Sequence, residues 1–425
     1  MSEKIEKRPN GYGFANLGGF VICWKRPRFV LACILLAGAI VLCSTALSSE
    51  KPNADATANQ SNSAKPEVRR YFPLTKFYDT PTPLPAGKPG ELIRKEEFDE
   101  YDLSPSVLAT RILYHSRSAR GEDVAASGVV LYPEGKTPAG GWPVIAWAHD
   151  LNGVARRCAP SLSRNLQHGP LLSMYVGLGY AVVASDYAGL GSSFRNAFAD
   201  MQSNGSDVIN SVPAARAAVP PLGARWVAIG TGEGSLAVIS VAELEHDTGD
   251  SNYLGAIAIS GLSDLQDRYA RPDPASLFLL AYGIKTIFPE FNPADMLTEK
   301  GLGLLTQIEN GCGGPETVQN KLPESELFQP NWQSNNIVRQ YFARSAPGQK
   351  PASGPILVIA SEADPGGATS RALARMCRQG DKVQLDQYEV ADPGSLIGDS
   401  VRAQIEWIQG RFAGRSAPGN CSGQH

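Results

Sequence analysis

Three glycines separated by single residues, Gly230, Gly232 and Gly234, lie within the stretch RWVAIGTGEGSLAVISVAEL, Arg225–Leu244. Before them Trp226–Ile229 is an apolar run of strand type. After them Ser235 opens a pattern of small and apolar residues suited to a helix. Strand, sharp turn and helix form the setting that lifts a nucleophilic serine clear of a sheet, with the sequence G-x-S-x-G. Gly230 and Gly234 match the two outer glycines, where the turn is too tight for side chains. The middle position is Gly232, so the turn is present and its hydroxyl is absent. Acyl transfer needs a nucleophile, a base to take its proton, an acid to orient the base, and two donors for the oxyanion. Those parts have to come from elsewhere in the chain.

The elements able to position such parts alternate along the sequence. Strand-like runs at Ala109–His115 and Ala125–Tyr132 are separated by the polar turn Ser116–Asp123. Val144–Ala148 is continuously apolar, as expected of a strand buried on both faces of a parallel sheet. The polar loop His149–Gly153 follows it, at the strand end where ligands of open sheets bind. A helical pattern at Leu171–Leu178, a strand at Gly179–Ala184 and a helix at Val208–Val219 lead to the glycine turn. Another strand follows at Leu254–Ser260. From Gly261 to about Pro330 the rhythm breaks, with Leu277–Phe288 very apolar, and this insertion reads as a cap over the crevice. A strand at Pro355–Ala360, a helix near Ala368–Arg378 and a strand near Lys382–Tyr388 resume it. The last helix carries Val401, Ile405, Ile408 and Phe412 on one face. The alternation predicts a mostly parallel sheet with right-handed crossovers. Proline-studded Tyr71–Tyr101 is expected to wrap the surface.

The 425 residues, 43% of them hydrophobic, allow one large α/β domain with an insertion. A net charge of −3 gives no reason to expect a nucleic-acid partner. Phe29–Leu47 is uncharged, mostly apolar and long enough to span a bilayer as a helix. Lys25, Arg26 and Arg28 precede it, which would leave residues 1–28 in the cytoplasm and export the body. A cleaved signal peptide is the alternative, with Ala46-Leu47-Ser48 as a small-x-small site. Residues 48–70 read as a flexible linker. Cys23, Cys33 and Cys43 lie in or before the apolar run. Cys158, Cys312, Cys377 and Cys421 lie beyond it and predict two disulfides, with three connectivities open. None has the spacing of a metal site.

Five stretches together resemble the secretory lipase family of the α/β-hydrolase superfamily, which includes fungal lipase A-type enzymes. They are PVIAWAHDLNGVARRCAPS, GYAVVASDYAGLGSS, VAIGTGEGSLAVISVAEL, PILVIASEADPGGATSRALARMC and VRAQIEWIQGRFAG, in the family's order over most of Tyr71–Gly414. The resemblance implies a lidded core, hydrolysis of lipid esters, and the pairings Cys158–Cys312 and Cys377–Cys421. It also implies a serine–acid–histidine order. On that pattern the serine has become Gly232, the acid matches Asp364, and the histidine matches Pro393 in the loop Val390–Ser395. The five histidines are His115, His149, His168, His246 and His425, and none is in that loop. The family also places a structural histidine at the position of His149.

The sequence thus predicts an α/β-hydrolase fold with a mostly parallel sheet, helices on both faces and an inserted cap. The core is expected at 71–261 and 331–414, the cap at 262–330 and a tail at 415–425. Asp150 and Glu233 occupy the positions whose backbone N–H groups would face an oxyanion. Their side chains would add negative charge there, forming with Asp364 an acidic pocket that has Arg156 and Arg157 near in sequence. The expected function is non-catalytic binding of a lipid, acyl or other apolar ligand under the cap, or of a protein partner. No cofactor or metal is implied. The alternative is an active lipase or carboxylesterase with displaced residues, for which Thr231, Ser235 and His149 are the available groups.

Overall fold

The computed structural model describes residues 12–17, 20–25, 71–260, 262–269, 274–312, 323–362, 367–390, 394–419 and 421. Two units divide at Pro66. In the first, β1 (Tyr12–Leu17) and β2 (Phe20–Lys25) form an antiparallel hairpin with Tyr12 opposite Lys25. The Phe29–Leu47 run and the 48–70 linker lie outside the described residues. No helix among the described residues is long and apolar enough to cross a membrane.

The second unit begins with β3 (Leu92–Glu97), β4 (Val107–Arg117), β5 (Asp123–Pro133) and β6 (Trp142–Ala148). Next come α1 (Gly169–Gly177), β7 (Ala181–Ser185), α2 (Met201–Ala218), β8 (Leu222–Thr231), α3 (Glu233–Thr248) and β9 (Tyr253–Ile259). Five helices then intervene: α4 (Leu265–Arg268), α5 (Pro274–Ile287), α6 (Glu299–Glu309), α7 (Glu324–Leu327) and α8 (Asn336–Arg344). The chain closes with β10 (Ile356–Ser361), α9 (Ala368–Gln379), β11 (Val383–Tyr388), α10 (Leu396–Asp399) and α11 (Val401–Phe412).

Nine strands form one sheet in the order β11-β10-β9-β8-β6-β7-β5-β4-β3. From β7 to β11 every pairing is parallel, and β5, β4 and β3 are joined to this block by antiparallel pairings. The chain runs from β6 outward to β7, then returns across β6 to β8. The order therefore reverses between β6 and β8, and their carboxyl ends flank the crevice where such sheets bind ligands.

The inner strands are apolar throughout because both faces are covered. In β6, Val144, Ala146 and Ala148 face the core shared with α2, α3 and α9, while Ile145 and Trp147 face the one shared with α1 and α11. Strand β3, which the sequence did not predict, lies at the edge of the sheet and pairs with β4. Its LIRKEE sequence has no apolar alternation, and charged side chains on an edge strand discourage pairing with other chains. Helix α2 begins seven residues before the predicted Val208. Asp200 caps it, accepting the Ser203 N–H at 2.8 Å. Its polar first two turns lack a helical apolar stripe, but packing on α3 holds them: a side chain on Gly205 would meet Ser240 at 2.6 Å. Helix α5 is mostly apolar, and Leu277, Phe278, Leu279, Leu280, Ala281 and Ile284 are all buried, while Lys285 and Thr286 make polar contacts near its end. Of the three connectivities open to the cysteines, the structure has Cys158–Cys312 and Cys377–Cys421.

Candidate functional site

The turn between β8 and α3 is built by close approach. A Cβ on Gly230 would stand 2.1 Å from the Gly234 carbonyl oxygen, and one on Gly234 would stand 2.1 Å from that of Ala148. Neither backbone can yield, so both positions exclude side chains. Between them Gly232 has φ 56° and ψ −115°, a backbone conformation that suits glycine. Its N–H donates to the Ile259 carbonyl at 3.0 Å, fixing the turn against β9.

What fills the apex of the turn is the side chain of Asp150. A Cβ on residue 232 would lie 2.0 Å from the Asp150 Cγ and Oδ1, and 2.2 Å from Oδ2. The carboxylate thus occupies the volume into which a side chain at 232 would project. It is held there by two backbone amides from different loops: the Asp150 Oδ1 accepts the Leu151 N–H at 2.7 Å and the Glu233 N–H at 2.8 Å. The sequence reading assigned the converging amides to Asp150 and Glu233. In the structure the Asp150 side chain turns back over the amide that follows it, and the Leu151 and Glu233 amides are the two that converge on its carboxylate. Paired amides at the foot of a helix, whose N-terminus carries partial positive charge, suit an anionic oxygen.

The remaining candidates are committed elsewhere. His149 is 2% exposed and stacks on the Tyr187 ring at 4.2 Å. Its Nδ1 faces the Asp150 carbonyl at 2.5 Å and its Nε2 the Asp186 carbonyl at 3.2 Å, so both nitrogens point at backbone. Burial lowers its pKa and favours the neutral ring. The Tyr187 hydroxyl in turn donates to the His149 carbonyl at 3.0 Å. His168 packs edge-on against Trp147 and is near enough to feel the Asp150 charge, but burial again lowers its pKa. The Ser235 hydroxyl is fully buried and donates to the Ile259 carbonyl at 2.6 Å. Thr231 is buried at the end of β8.

The Glu233 carboxylate is buried away from the paired amides. Its Oε1 accepts the Ala199 N–H at 2.6 Å and the Asn204 Nδ2–H at 2.8 Å, and burial pushes its pKa up to about 7. Arg156 does not reach Asp150: its guanidinium donates to the carbonyls of Gly191 and Tyr78, at 2.9 and 3.1 Å. Arg157 is exposed. Asp364 and Pro393 lie outside the described residues. The turn residues Gly230, Gly232 and Gly234 are therefore brought together with Asp150 and the Glu233 amide. Leu151, Tyr187 and His168 were missed as neighbours. For Leu151 the sequence signal was position after a strand end, because a backbone amide carries no residue signature, while Tyr187 and His168 are brought in by side-chain packing.

Cavities of about 230, 390 and 630 Å³ lie away from this turn, and neither Gly232 nor Asp150 lines any of the three. The smallest lies between α2 and α5, with Asp207 and Ile287 in its wall.

No family model matches the sequence, and no curated protein matches it. Solved structures do match. Candida antarctica lipase A in its closed state aligns with a TM-score of 0.69 at 16% identity, over 81% of this chain and 86% of that one. The rice cell wall degrading esterase LipA from Xanthomonas oryzae aligns with a TM-score of 0.62 at 19% identity, over 76% of this chain and 97% of that one. The fold is therefore the α/β-hydrolase fold, of the kind found in these lipases and esterases.

Proposed function

We propose that this chain is an exported α/β-hydrolase-fold protein that binds a lipid, an acyl group or another apolar ligand, or a protein partner, without hydrolysing esters. The reading rests on the Asp150 carboxylate, which stands where the nucleophile would project and accepts both amides that would serve an oxyanion. A substrate carbonyl placed there would meet an acceptor already in possession of the donors. Gly232 supplies no nucleophile, and the sequence supplies no histidine in the loop that carries Pro393. The Ser235 hydrogen bond, and the burial of His149 between two backbone carbonyls, weigh against either group standing in. Ligand binding is supported by the likeness in fold to a lipase and an esterase.

Export is supported by the two disulfides, which belong to oxidising compartments. Anchoring through Phe29–Leu47 is the form of export that we favour. Membrane fractionation with N-terminal sequencing separates it from signal cleavage.

The activity test is direct. Purified protein treated with a serine-directed fluorophosphonate should remain unlabelled, and hydrolysis of p-nitrophenyl butyrate should match the blank. Turnover well above blank that is abolished by substituting Thr231, Ser235 or His149 would replace this reading with that of an esterase using displaced residues.

A further inference from the structure

We propose that the cavity of about 230 Å³ between α2 and α5 binds a small uncharged phenol or alcohol, whose hydroxyl hydrogen-bonds to the Asp207 carboxyl. The proposal rests on the ligand-binding part of the reading above and is independent of whether esters are hydrolysed. It adds a ligand class and a place for that ligand, away from the turn at Gly232.

Two observations carry it. The first is size and lining. The wall is mostly apolar, with Val124 on β5, Phe194 from the segment between β7 and α2, and Ile287 on α5. An apolar cavity of about 150 Å³ already holds benzene, so this volume admits one substituted ring. The second is a carboxyl oxygen with nothing to bond. Asp207, on α2, stands in the wall and is 1% exposed. Its Oδ2 accepts the Ala188 N–H at 2.8 Å, whereas the buried Oδ1 has no hydrogen-bond partner among the described residues. Ser116 lies near enough to ease the burial of charge on this carboxyl, yet no hydrogen bond reaches Oδ1. The neighbouring polar groups on α2 are committed: the Ser203 Oγ accepts the Ala119 N–H at 3.0 Å, and the Asn204 Nδ2–H donates to Glu233 at 2.8 Å. An unpaired buried oxygen is costly, and a ligand hydroxyl in the cavity would remove that cost.

Charge selects against ions. Arg117, Arg120 and Arg195 also line the cavity and would repel an ammonium group. Each already has a carboxylate partner, Asp123 at 2.6 Å, Glu122 at 2.9 Å and Glu309 at 3.6 Å, and Asp207 would itself resist a second buried carboxylate. A neutral hydroxyl suits Asp207 in either protonation state, since it can accept from the acid or donate to the carboxylate.

The test is calorimetric titration of the full-length protein with p-cresol and with p-xylene, which carries a methyl group in place of the hydroxyl. Burial alone favours p-xylene, the more apolar of the two. Wild type should nonetheless bind p-cresol at least about tenfold more tightly. Asp207→Leu keeps a similar volume without the oxygens and should lose this preference. Thr286→Trp projects a larger side chain from the α5 wall and should abolish binding of both compounds. Wild type that binds p-cresol no better than p-xylene would overturn the proposal. So would a preference that survives Asp207→Leu, or binding that survives Thr286→Trp. Should one variant fail to fold, wild type and the other decide. 1-Octanol probes the broader reading separately: if it binds wild type and both variants alike while p-cresol does not bind, ligand binding stands and its assignment to this cavity falls.

Discussion

Gly232 shows how a single residue can change what a strand–turn–helix corner is able to hold. Replacing it with alanine forces a Cβ onto a backbone at φ 56° and into the Asp150 carboxylate. Gly232→Ala should therefore destabilise the protein by about 1–3 kcal/mol. The loss should be smaller in an Asp150→Gly background, where only the backbone component remains; urea unfolding of the four proteins of the cycle measures both. If the cost is the same in both backgrounds, the two residues do not share the volume. The buried acids supply a second expectation at this scale. Burial pushes Asp207, Glu233 and Glu243 each up to about 7. Because the folded state favours their neutral forms, the stability they contribute is fully present below their unfolded pKa values near 4. It is lost as pH rises through about 7. The urea midpoint should accordingly fall between pH 5 and pH 8, and Glu233→Gln should flatten that fall.

At the level of elements, the site is a meeting of β6, β8 and α3, and its tolerances are backbone against backbone. Gly234→Ala would drive a Cβ to 2.1 Å from the Ala148 carbonyl oxygen and 2.6 Å from its carbon. No rotamer relieves this, so α3 must move off the end of β6. The expected loss exceeds about 2 kcal/mol, larger than for Gly232→Ala, where the obstacle is a movable side chain. Thermal unfolding of the two variants side by side tests the order. The elements themselves were largely legible. Val144–Ala148 and Trp226–Ile229 fell inside observed strands because continuous apolar runs leave little else for them to be. Strand β3 and the first turns of α2 were not legible. Glu96 and Lys95 sit at a sheet edge, and Ser203 and Asn204 are buried, bonded to the Ala119 amide and the Glu233 carboxylate; in both cases neighbours distant in sequence set the local structure.

Across the whole molecule, covalent links hold elements that the sheet alone would leave to side-chain packing. Cys158, in the loop beyond β6, is bonded to Cys312 just after α6, and Cys377 on α9 is bonded to Cys421 near the chain end. Replacing Cys158 and Cys312 together with serine should lower stability by roughly 2–4 kcal/mol, and the Cys377 and Cys421 pair by a comparable or smaller amount because its loop is shorter. Denaturant unfolding of each double variant reads this directly. Two variants indistinguishable from wild type would show the bridges to be dispensable for the folded state.

Sequence alone determined the strand–turn–helix at residues 222–248, the order of the surrounding elements and the absence of serine from the apex. These are local properties: apolar periodicity selects the element, and a turn with no room for a Cβ selects glycine. Cysteine count and spacing left three pairings open; the family resemblance implied Cys158–Cys312 and Cys377–Cys421, which the structure bears out, and nothing in the sequence said what the apex contains. Asp150 meets the Glu233 amide across 83 positions, and only because β6 and β8 are neighbours in the sheet with Ala148 opposite Gly230. The direction of its side chain depends on the volume Gly232 leaves vacant and on two amides brought from separate loops. Tertiary structure alone supplies both.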